Sequence, residues 1–212
     1  MPPPLDPDLA ADRRLLDEKC RLKFALDRFL ALLGLPLLAV VAALAFVLMK
    51  IEALQDPRSD GPLLYTEERL TQGRPFLIYK FRTTQVGSHQ PGEAGRVTRA
   101  GHLLKKWYLD ELPQLLNVLC GDMTLVGPRP NVPWKAWREI SEEGMRSKLV
   151  LRAGLTGLVQ VYKLEARDRD VYADLEQQYL SDLMARTPLQ VVLCDLSLLL
   201  RTVPMMLRGE GL

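Results

Sequence analysis

The longest hydrophobic stretch of the chain runs from Phe29 to Met49 without a charged residue. Basic residues lie on both sides of it, with Lys23 and Arg28 before it and Lys50 after it. Uncharged runs of about 18 residues or more are typical of helices that enter a membrane. A signal peptide is disfavoured, because the preceding region is too long and no small-x-small cleavage site follows. We therefore predict a membrane helix here.

Two residues inside this stretch affect the path of the helix. Pro36 removes a backbone hydrogen-bond donor and clashes with the preceding turn, so a kink is expected there, and Gly34 eases the bend. Because basic residues flank both ends, the positive-inside rule selects no orientation. The sequence leaves open a kinked helix that spans the bilayer and a bent helix that enters and leaves by one face. The segment 10–28 mixes leucines with charges and fits either an interfacial helix or a solvated one.

The remaining pattern predicts a domain of helices with few strands. Apolar runs predict short strands at 63–65 and 76–79, joined by a turn at 72–74. Helical spacing predicts helices over 98–108, 112–119, 133–150, 171–184 and 189–207. The segment 153–161 is predicted as a glycine-containing loop that leads into a short strand. The fold class is therefore mainly α with a small β component (α+β).

Composition excludes several classes of protein. A chain of 212 residues has room for one compact domain and an appendage. Its formal net charge of +2 demands no polyanionic partner, and we expect no nucleic acid. Cys20, Cys120 and Cys194 show neither zinc nor disulfide spacing, which fits a reducing environment. The absence of G-x-G-x-x-G, Walker and G-x-S-x-G motifs leaves Rossmann, P-loop and acyl-serine chemistry unsupported.

The candidate chemistry lies at Asp110 and Glu111, two adjacent carboxylates that open a short apolar stretch. Neighbours on a helix point about 100° apart, so the pair cannot flank a bond from two sides as glycosidase carboxylates do. One carboxylate can instead attack a phosphate while the other holds a metal. Pro113 is tolerated in a first helical turn, which predicts Asp110 at or near an N-cap, where the helix dipole favours an ionised carboxylate. The alternative is simple helix capping.

A candidate anion clamp follows at Arg129, which lies between Pro128 and Pro130. The two proline rings fix the local backbone and limit the entropy lost when the guanidinium grips an anion. The planar fork of arginine suits bidentate phosphate binding. Lys80 and Arg82 are further candidate phosphate donors. The alternative for Arg129 is a solvated arginine in a surface turn.

These motifs together resemble a known family. The matching segments are Lys80-Phe81-Arg82-Thr83, Arg96-Val97-Thr98-Arg99, 109–118 (LDELPQLLNV), 121–130 (GDMTLVGPRP), Gly154-Leu155-Thr156-Gly157-Leu158, Leu199-Leu200-Arg201-Thr202-Val203 and Gly209-Glu210-Gly211. They resemble the bacterial sugar transferase family, the monotopic phosphoglycosyl transferases that start glycan assembly on polyprenol phosphate. The short length is similar to that of members with a single catalytic domain.

The resemblance implies a mechanism. Asp110 would attack the β-phosphate of a UDP-sugar and release UMP, and polyprenol (undecaprenyl) phosphate would then take the sugar phosphate from Asp110. Glu111 would hold Mg²⁺, which neutralises the diphosphate. Arg129, with Lys80 and Arg82, would bind phosphate oxygens. The further substrate-binding residues implied are Pro128, Gln114 and Glu176.

The resemblance also implies a topology. The family's membrane segment is a re-entrant helix broken at a proline, which Pro36 matches, so both termini would be cytosolic on the inner membrane of a bacterium. The implied divisions are 1–22, a tail and the start of an interfacial helix; 23–50, a re-entrant helix–break–helix; and 51–212, a compact catalytic domain with interfacial helices. Membrane lipids would be further partners, and a homodimer is left open.

Some positions depart from the family pattern. Leu35 replaces the serine that often precedes the membrane proline, and Trp107-Tyr108 replaces a threonine-serine pair. Glu176 replaces an aspartate three residues before a tyrosine. These changes concern specificity for the nucleotide sugar more than the reaction, and the donor sugar stays undecided. The alternative function is an inactive membrane-anchored scaffold of the same fold, against which the intact Asp110–Glu111 pair argues.

Overall fold

The structure is a computed structural model that describes residues 7–88, 95–162 and 169–208. The predicted N-terminal tail before Pro7 and the motif at 209–211 lie outside the described residues. The helices are α1 (Pro7–Lys19), α2 (Arg21–Gln55), α3 (Arg99–Lys106), α4 (Gln114–Cys120), α5 (Pro133–Glu142), α6 (Ser147–Val150), α7 (Leu158–Val161), α8 (Arg169–Ala185) and α9 (Pro188–Leu207). The strands are β1 (Leu64–Thr71), β2 (Arg74–Phe81), β3 (Met123–Val126) and β4 (Ala153–Thr156). The prediction of a mainly helical α+β fold is confirmed.

The first sheet is the predicted hairpin. β1 and β2 pair antiparallel from Leu64 opposite Phe81 to Thr71 opposite Arg74. The two turn residues, Gln72 and Gly73, both have positive φ angles, of 48° and 70°, as a two-residue type I′ hairpin turn requires.

The second sheet is a parallel pair that the sequence analysis did not predict. Met123 lies opposite Ala153 and Val126 opposite Thr156. The segment 153–161 was predicted as a loop before a strand, but the strand comes first and α7 follows it. All four residues of β3 are buried, so the segment lacks the polar–apolar alternation that marks a strand with one solvated face.

Helix α2 dominates the N-terminal part of the molecule. Its 35 residues, with Pro36 inside the helix, correspond to a length of about 52 Å. Among the described residues it is the one helix long and apolar enough to cross a membrane, and 17% of its most apolar window is buried within the molecule. Leu32, Leu33, Leu37 and Val40 are exposed. This exposed apolar surface is typical of membrane association.

One face of α2 packs along the rest of the molecule. Ala31 and Ala45 are buried, on either side of Pro36. Between them, a Cβ added to Gly34 would lie 2.8 Å from Leu115 Cδ1, so this glycine allows α2 to pack closely on α4. Helix α2 is therefore also the support on which α4 rests.

Both ends of α2 are bonded to the same domain. Near its start, Lys23 Nζ donates to the Val126 carbonyl at 2.9 Å. Near its end, the Glu52 carboxylate accepts from the backbone N–H groups of Arg99 at 2.8 Å and Ala100 at 3.0 Å. The domain therefore follows the helix across its whole apolar length.

Candidate active site

The two adjacent carboxylates lie on a short 3-10 turn, Leu109–Glu111, between α3 and α4. The chain enters this turn through Tyr108, whose φ of 55° lies in the left-handed region. A non-glycine residue there costs roughly 1 to 2 kcal/mol. Asp110 was predicted at or near an N-cap; Pro113 occupies the N-cap position of α4, and Asp110 lies three residues before it.

Glu111 is held by two cations. Lys80 Nζ lies 2.7 Å from Glu111 Oε1, and Arg129 Nη2 lies 3.8 Å from the same oxygen. Burial acts to raise the pKa of this carboxyl, but the positive charges of Lys80 and Arg129 outweigh it and lower the pKa below its usual value. Glu111 is therefore ionised and drawn towards the cationic side of the site.

Asp110 has different surroundings from its neighbour. Burial and the negative charge of Glu111 raise the pKa of Asp110, while Lys80 and Lys105 oppose this shift. Among the described residues, no side chain forms a hydrogen bond or ion pair with the Asp110 carboxylate. Its oxygens are therefore not paired with a described side-chain donor or cation, and a carboxylate in this setting can act as a nucleophile.

The backbone of Arg129 is fixed from both sides. Its N–H donates to Glu176 Oε1 at 3.2 Å, and its carbonyl accepts from Lys148 Nζ at 3.2 Å. Lys148 also lies 3.3 Å from Glu176 Oε2 and 3.4 Å from Glu139 Oε2. These three charged residues are at most 5% exposed, whereas the Arg129 side chain is 43% exposed. A buried ionic cluster thus presents one open guanidinium beside Glu111.

A second buried network holds the start of the same loop. The Val126 carbonyl accepts from Lys23 Nζ at 2.9 Å and from the Tyr179 hydroxyl at 3.2 Å. Asp195 completes the network, with Lys23 at 2.6 Å and Tyr179 at 2.9 Å. No motif in the sequence predicted this network. The signal that could have found it was the charge of Asp195 within the apolar stretch 189–200.

Close backbone contact aligns this loop with β4. Gly127 N–H donates to the Thr156 carbonyl at 2.9 Å, and Gly154 N–H donates to the Pro128 carbonyl at 2.8 Å. A Cβ added to Gly154 would lie 2.2 Å from Gly127 N, so only glycine allows this approach. Pro128 is buried in the contact rather than exposed beside Arg129.

The structure brings some predicted site residues together and separates others. Glu111, Lys80 and Arg129 are in contact, and Glu176 lies behind Arg129 as a positioning residue. Arg82 instead donates to the carbonyls of Pro62, Thr84 and Ser59, each at 2.8 Å. That arrangement gives Arg82 a structural role.

Gln114 is 1% exposed in this conformation. Its Nε2 has no hydrogen-bond partner among the described residues. Contact between Gln114 and substrate stays a prediction.

An apolar cleft of about 210 Å³ opens beside the carboxylates. Glu111 and Arg129 are the charged residues in its lining. Its other walls come from α4, β4, α7 and α9, and its lining includes Leu112, Leu115, Leu155, Thr156, Gln160, Leu199, Thr202 and Val203. The cleft can therefore receive a ligand that carries both phosphate and less polar groups.

The carboxylates fit a metal only in combination with a substrate. Among the described residues, no three His, Cys, Asp or Glu side chains are grouped as a metal site would require. Mg²⁺ commonly takes one or two carboxylates and completes its shell with water and substrate phosphates. Glu111 and Asp110 match that smaller donor set.

Comparison with known proteins defines the class of this chain. A model of the bacterial sugar transferase family matches residues 18–209, and the chain belongs to that family. It is 38% identical over 201 residues to a UDP-glucose:undecaprenyl-phosphate glucose-1-phosphate transferase of Caulobacter vibrioides, covering 89% of this chain and 71% of that protein.

Two further relatives are named for an N-acetylgalactosamine donor group. One is a UDP-N-acetylgalactosamine-undecaprenyl-phosphate N-acetylgalactosaminephosphotransferase of Aeromonas hydrophila, 35% identical over 167 residues, or 70% of this chain and 36% of that protein. The other is a putative undecaprenyl-phosphate N-acetylgalactosaminyl 1-phosphate transferase of Bacillus subtilis, 37% identical over 119 residues, or 53% of this chain and 63% of that protein. The chain thus spans about a third of the length of the Aeromonas relative and just under two thirds of the length of the Bacillus relative.

Proposed function

We propose that this protein transfers a sugar 1-phosphate from a UDP-sugar to undecaprenyl phosphate in a membrane, through a covalent intermediate on Asp110. The main support for this proposal is that the two adjacent carboxylates have different environments. Glu111 is paired with Lys80 and Arg129, whereas no described side chain pairs with Asp110. Separate environments for two carboxylates are typical of a site in which each has its own role. The names of the relatives supply the substrate class.

The first half-reaction uses Asp110 as the nucleophile. A carboxylate oxygen forms a bond to the β-phosphorus of the UDP-sugar. The bond between that phosphorus and the oxygen bridging to the α-phosphorus breaks, and UMP leaves with the electron pair. Arg129 and Lys80 offset the negative charge of the phosphates. The product on the enzyme is an acyl phosphate that carries the sugar.

The second half-reaction regenerates the carboxylate. A phosphate oxygen of undecaprenyl phosphate forms a bond to the same phosphorus, and the bond from phosphorus to Asp110 breaks. The products are undecaprenyl diphosphate sugar and free Asp110. Both displacements conserve electrons and need no redox partner.

Mg²⁺ is the proposed metal, with Glu111 as its protein ligand. Bound there, it would supply charge neutralisation at the diphosphate. Lys80 would then lose its present partner and be free to contact phosphate.

The attachment of both ends of α2 to one domain supports a monotopic path. A helix that spanned the bilayer would place the bonds at Lys23 and at Glu52 on opposite faces of a hydrocarbon layer about 30 Å thick. One domain with charged groups at both places cannot lie on both faces, because burying those charges in lipid is costly. We therefore propose a re-entrant α2, with the domain on the cytoplasmic face.

The decisive experiment needs no lipid acceptor. Purified protein is incubated with Mg²⁺ and a panel of UDP-sugars, including UDP-glucose and UDP-N-acetylgalactosamine, and the mass of the intact protein is measured. We expect an added sugar phosphate on wild type with an equal amount of UMP, and neither with Asp110→Asn. Asp122→Asn, on the neighbouring loop, is the matched control and should form the adduct.

The outcomes separate the competing functions. Transfer to undecaprenyl phosphate without an adduct would replace the covalent route by direct attack of the acceptor. The absence of both adduct and transfer with every donor would favour a scaffold protein. Full activity in excess EDTA would remove the metal role of Glu111.

A further inference from the structure

The apolar cleft beside Glu111 contains few polar side chains, and two of them satisfy each other. Thr156 Oγ1 and Thr202 Oγ1 lie 2.9 Å apart, and Thr202 Oγ1 donates to the Leu198 carbonyl at 2.9 Å. The Thr156 hydroxyl can therefore donate to Thr202. These two threonines need no ligand to complete their hydrogen bonds.

Gln160 lines the same cleft, but its side chain, unlike the two threonines, lacks hydrogen-bond partners in the described part of the chain. Both its Oε1 and its Nε2 are buried, and neither has a hydrogen-bond partner among the described residues. A buried amide without partners is unfavourable, so its presence in a native structure calls for an explanation, and a ligand that pairs with it is one. Gly157 leaves space beside this amide, because a Cβ added there would lie 3.2 Å from Gln160 Oε1.

The free amide limits which part of a ligand can lie against it. A primary amide presents an acceptor and a donor on one edge, and it pairs best with a ring that offers a donor next to an acceptor. Uracil has this arrangement at its N3–H and neighbouring carbonyl oxygen. Leu112, Leu155 and Leu199 provide apolar surface for the faces of such a ring.

We propose that this cleft is the uracil subsite and that Gln160 binds the N3–H edge of the base. The inference rests on the proposed function, which supplies a uridine nucleotide as donor. The phosphates would lie towards Arg129 and Glu111, the charged residues that line the same cleft. The isoprenoid chain of the acceptor is the competing occupant, but it has no polar group to pair with the buried amide.

The test pairs a change in the ligand with a change in the residue. UMP and N3-methyl-UMP are titrated by calorimetry into the full chain in lipid nanodiscs. The wild-type protein should bind UMP at least about tenfold more tightly than N3-methyl-UMP. Methylation removes the N3–H donor of the base and leaves the Gln160 amide without its partner. In Gln160→Met and Gln160→Ala the two affinities should agree within about threefold, through weaker binding of UMP.

Two controls distinguish recognition from damage to the fold. Gln178→Leu, on the exposed surface of α8, should keep the wild-type ratio of affinities. Gln160→Met should unfold at the wild-type temperature or above it, because it removes a buried unpaired amide. Gln160→Ala provides a second variant that leaves room for the N3-methyl group.

The outcomes also separate this inference from the proposed function. A ratio that stays at the wild-type value in both Gln160 variants overturns the uracil subsite. The uracil subsite is also overturned if the Gln160 variants change only the KM for undecaprenyl phosphate in the transfer reaction. That result would assign the cleft to the acceptor. Selective UMP binding lost in the Gln160 variants, without sugar transfer from any UDP-sugar by wild type, would sustain the subsite and reject the proposed reaction.

Discussion

At the scale of single residues, the neighbours of Asp110 and Glu111 distinguish two carboxylates that the sequence presents as a pair. Lys80 and Arg129 reach Glu111 from β2 and from the loop after β3. Burial and the negative charge of Glu111 raise the pKa of Asp110, whereas the charges of Lys80 and Arg129 hold the pKa of Glu111 below its usual value. Both roles need an ionised carboxylate, and two carboxylates in different environments are typical of a site in which each has its own role.

The pKa of Asp110 gives a pH dependence with a definite sign. Because the nucleophile must be ionised, the rate of UMP release should fall as pH drops through a midpoint above the usual 3.8 of an aspartate. Lys80→Met should move this midpoint upwards, because Lys80 lowers the pKa of Asp110. Lys106→Met is the control, and the rate is measured over a pH series. An acid limb that stays in place in Lys80→Met would contradict the assignment.

Lys148 is expected to be essential for stability, although it does not contact the carboxylate pair. Lys148→Met removes the cation between Glu139 and Glu176 and should cost about 3 to 5 kcal/mol of unfolding free energy. Lys135→Met is the matched control, because Lys135 pairs with the same Glu139 but is 36% exposed, and its loss should cost at most about 1 kcal/mol. Thermal unfolding in detergent measures both, and equal losses would refute the buried-cluster argument.

At the scale of elements, the loop that carries Arg129 is defined by its neighbours rather than by its own sequence. The prolines predicted a stiff segment, but its position depends on β4 and on the networks of Lys148 and Lys23. Strand β3 was not predictable from the sequence, because a fully buried strand of four residues has no diagnostic period. It predicted the β1–β2 hairpin because a turn there separated two apolar runs.

Helix α2 offers a prediction about Pro36. Single cysteines at Glu18 and Arg58, in a cysteine-free background, should both react with an impermeant reagent from the cytoplasmic face. Pro36→Leu restores a backbone donor and removes the clash, so it should straighten the helix and move part of the Arg58 label to the opposite face. Pro204→Leu, a proline inside α9, is the control. If the labels at positions 18 and 58 stay on one face in Pro36→Leu as in the wild-type protein, Pro36 does not determine the topology.

At the scale of the whole molecule, α2 connects the exposed apolar surface to the candidate active site. Its buried face supports α4 through Gly34 and Leu115, and its opposite face is exposed and apolar. The carboxylates therefore lie on a domain that extends along the membrane helix. In the proposed reaction, the lipid acceptor would reach them at the bilayer surface.

Membrane association should depend on this exposed face. Leu33→Asp combined with Val40→Asp should shift the protein from the membrane to the soluble fraction, because each charge costs about 2.5 to 3.5 kcal/mol in a membrane helix. Leu54→Asp, beyond the apolar stretch and 88% exposed, should leave the distribution unchanged. Fractionation by ultracentrifugation measures this, and retention of the double variant would place the membrane contact elsewhere.

The sequence by itself determined the long apolar helix, the hairpin, the mainly helical class and the candidate residues Asp110, Glu111 and Arg129. These depend on local patterns, such as a long uncharged run, a turn between apolar segments and a proline-flanked arginine. Only the tertiary structure decided that Lys80 contacts Glu111, that Arg82 binds backbone carbonyls and that the side-chain amide of Gln160 is buried without a partner among the described residues. Those facts depend on contacts between residues far apart in the chain, which no local pattern specifies.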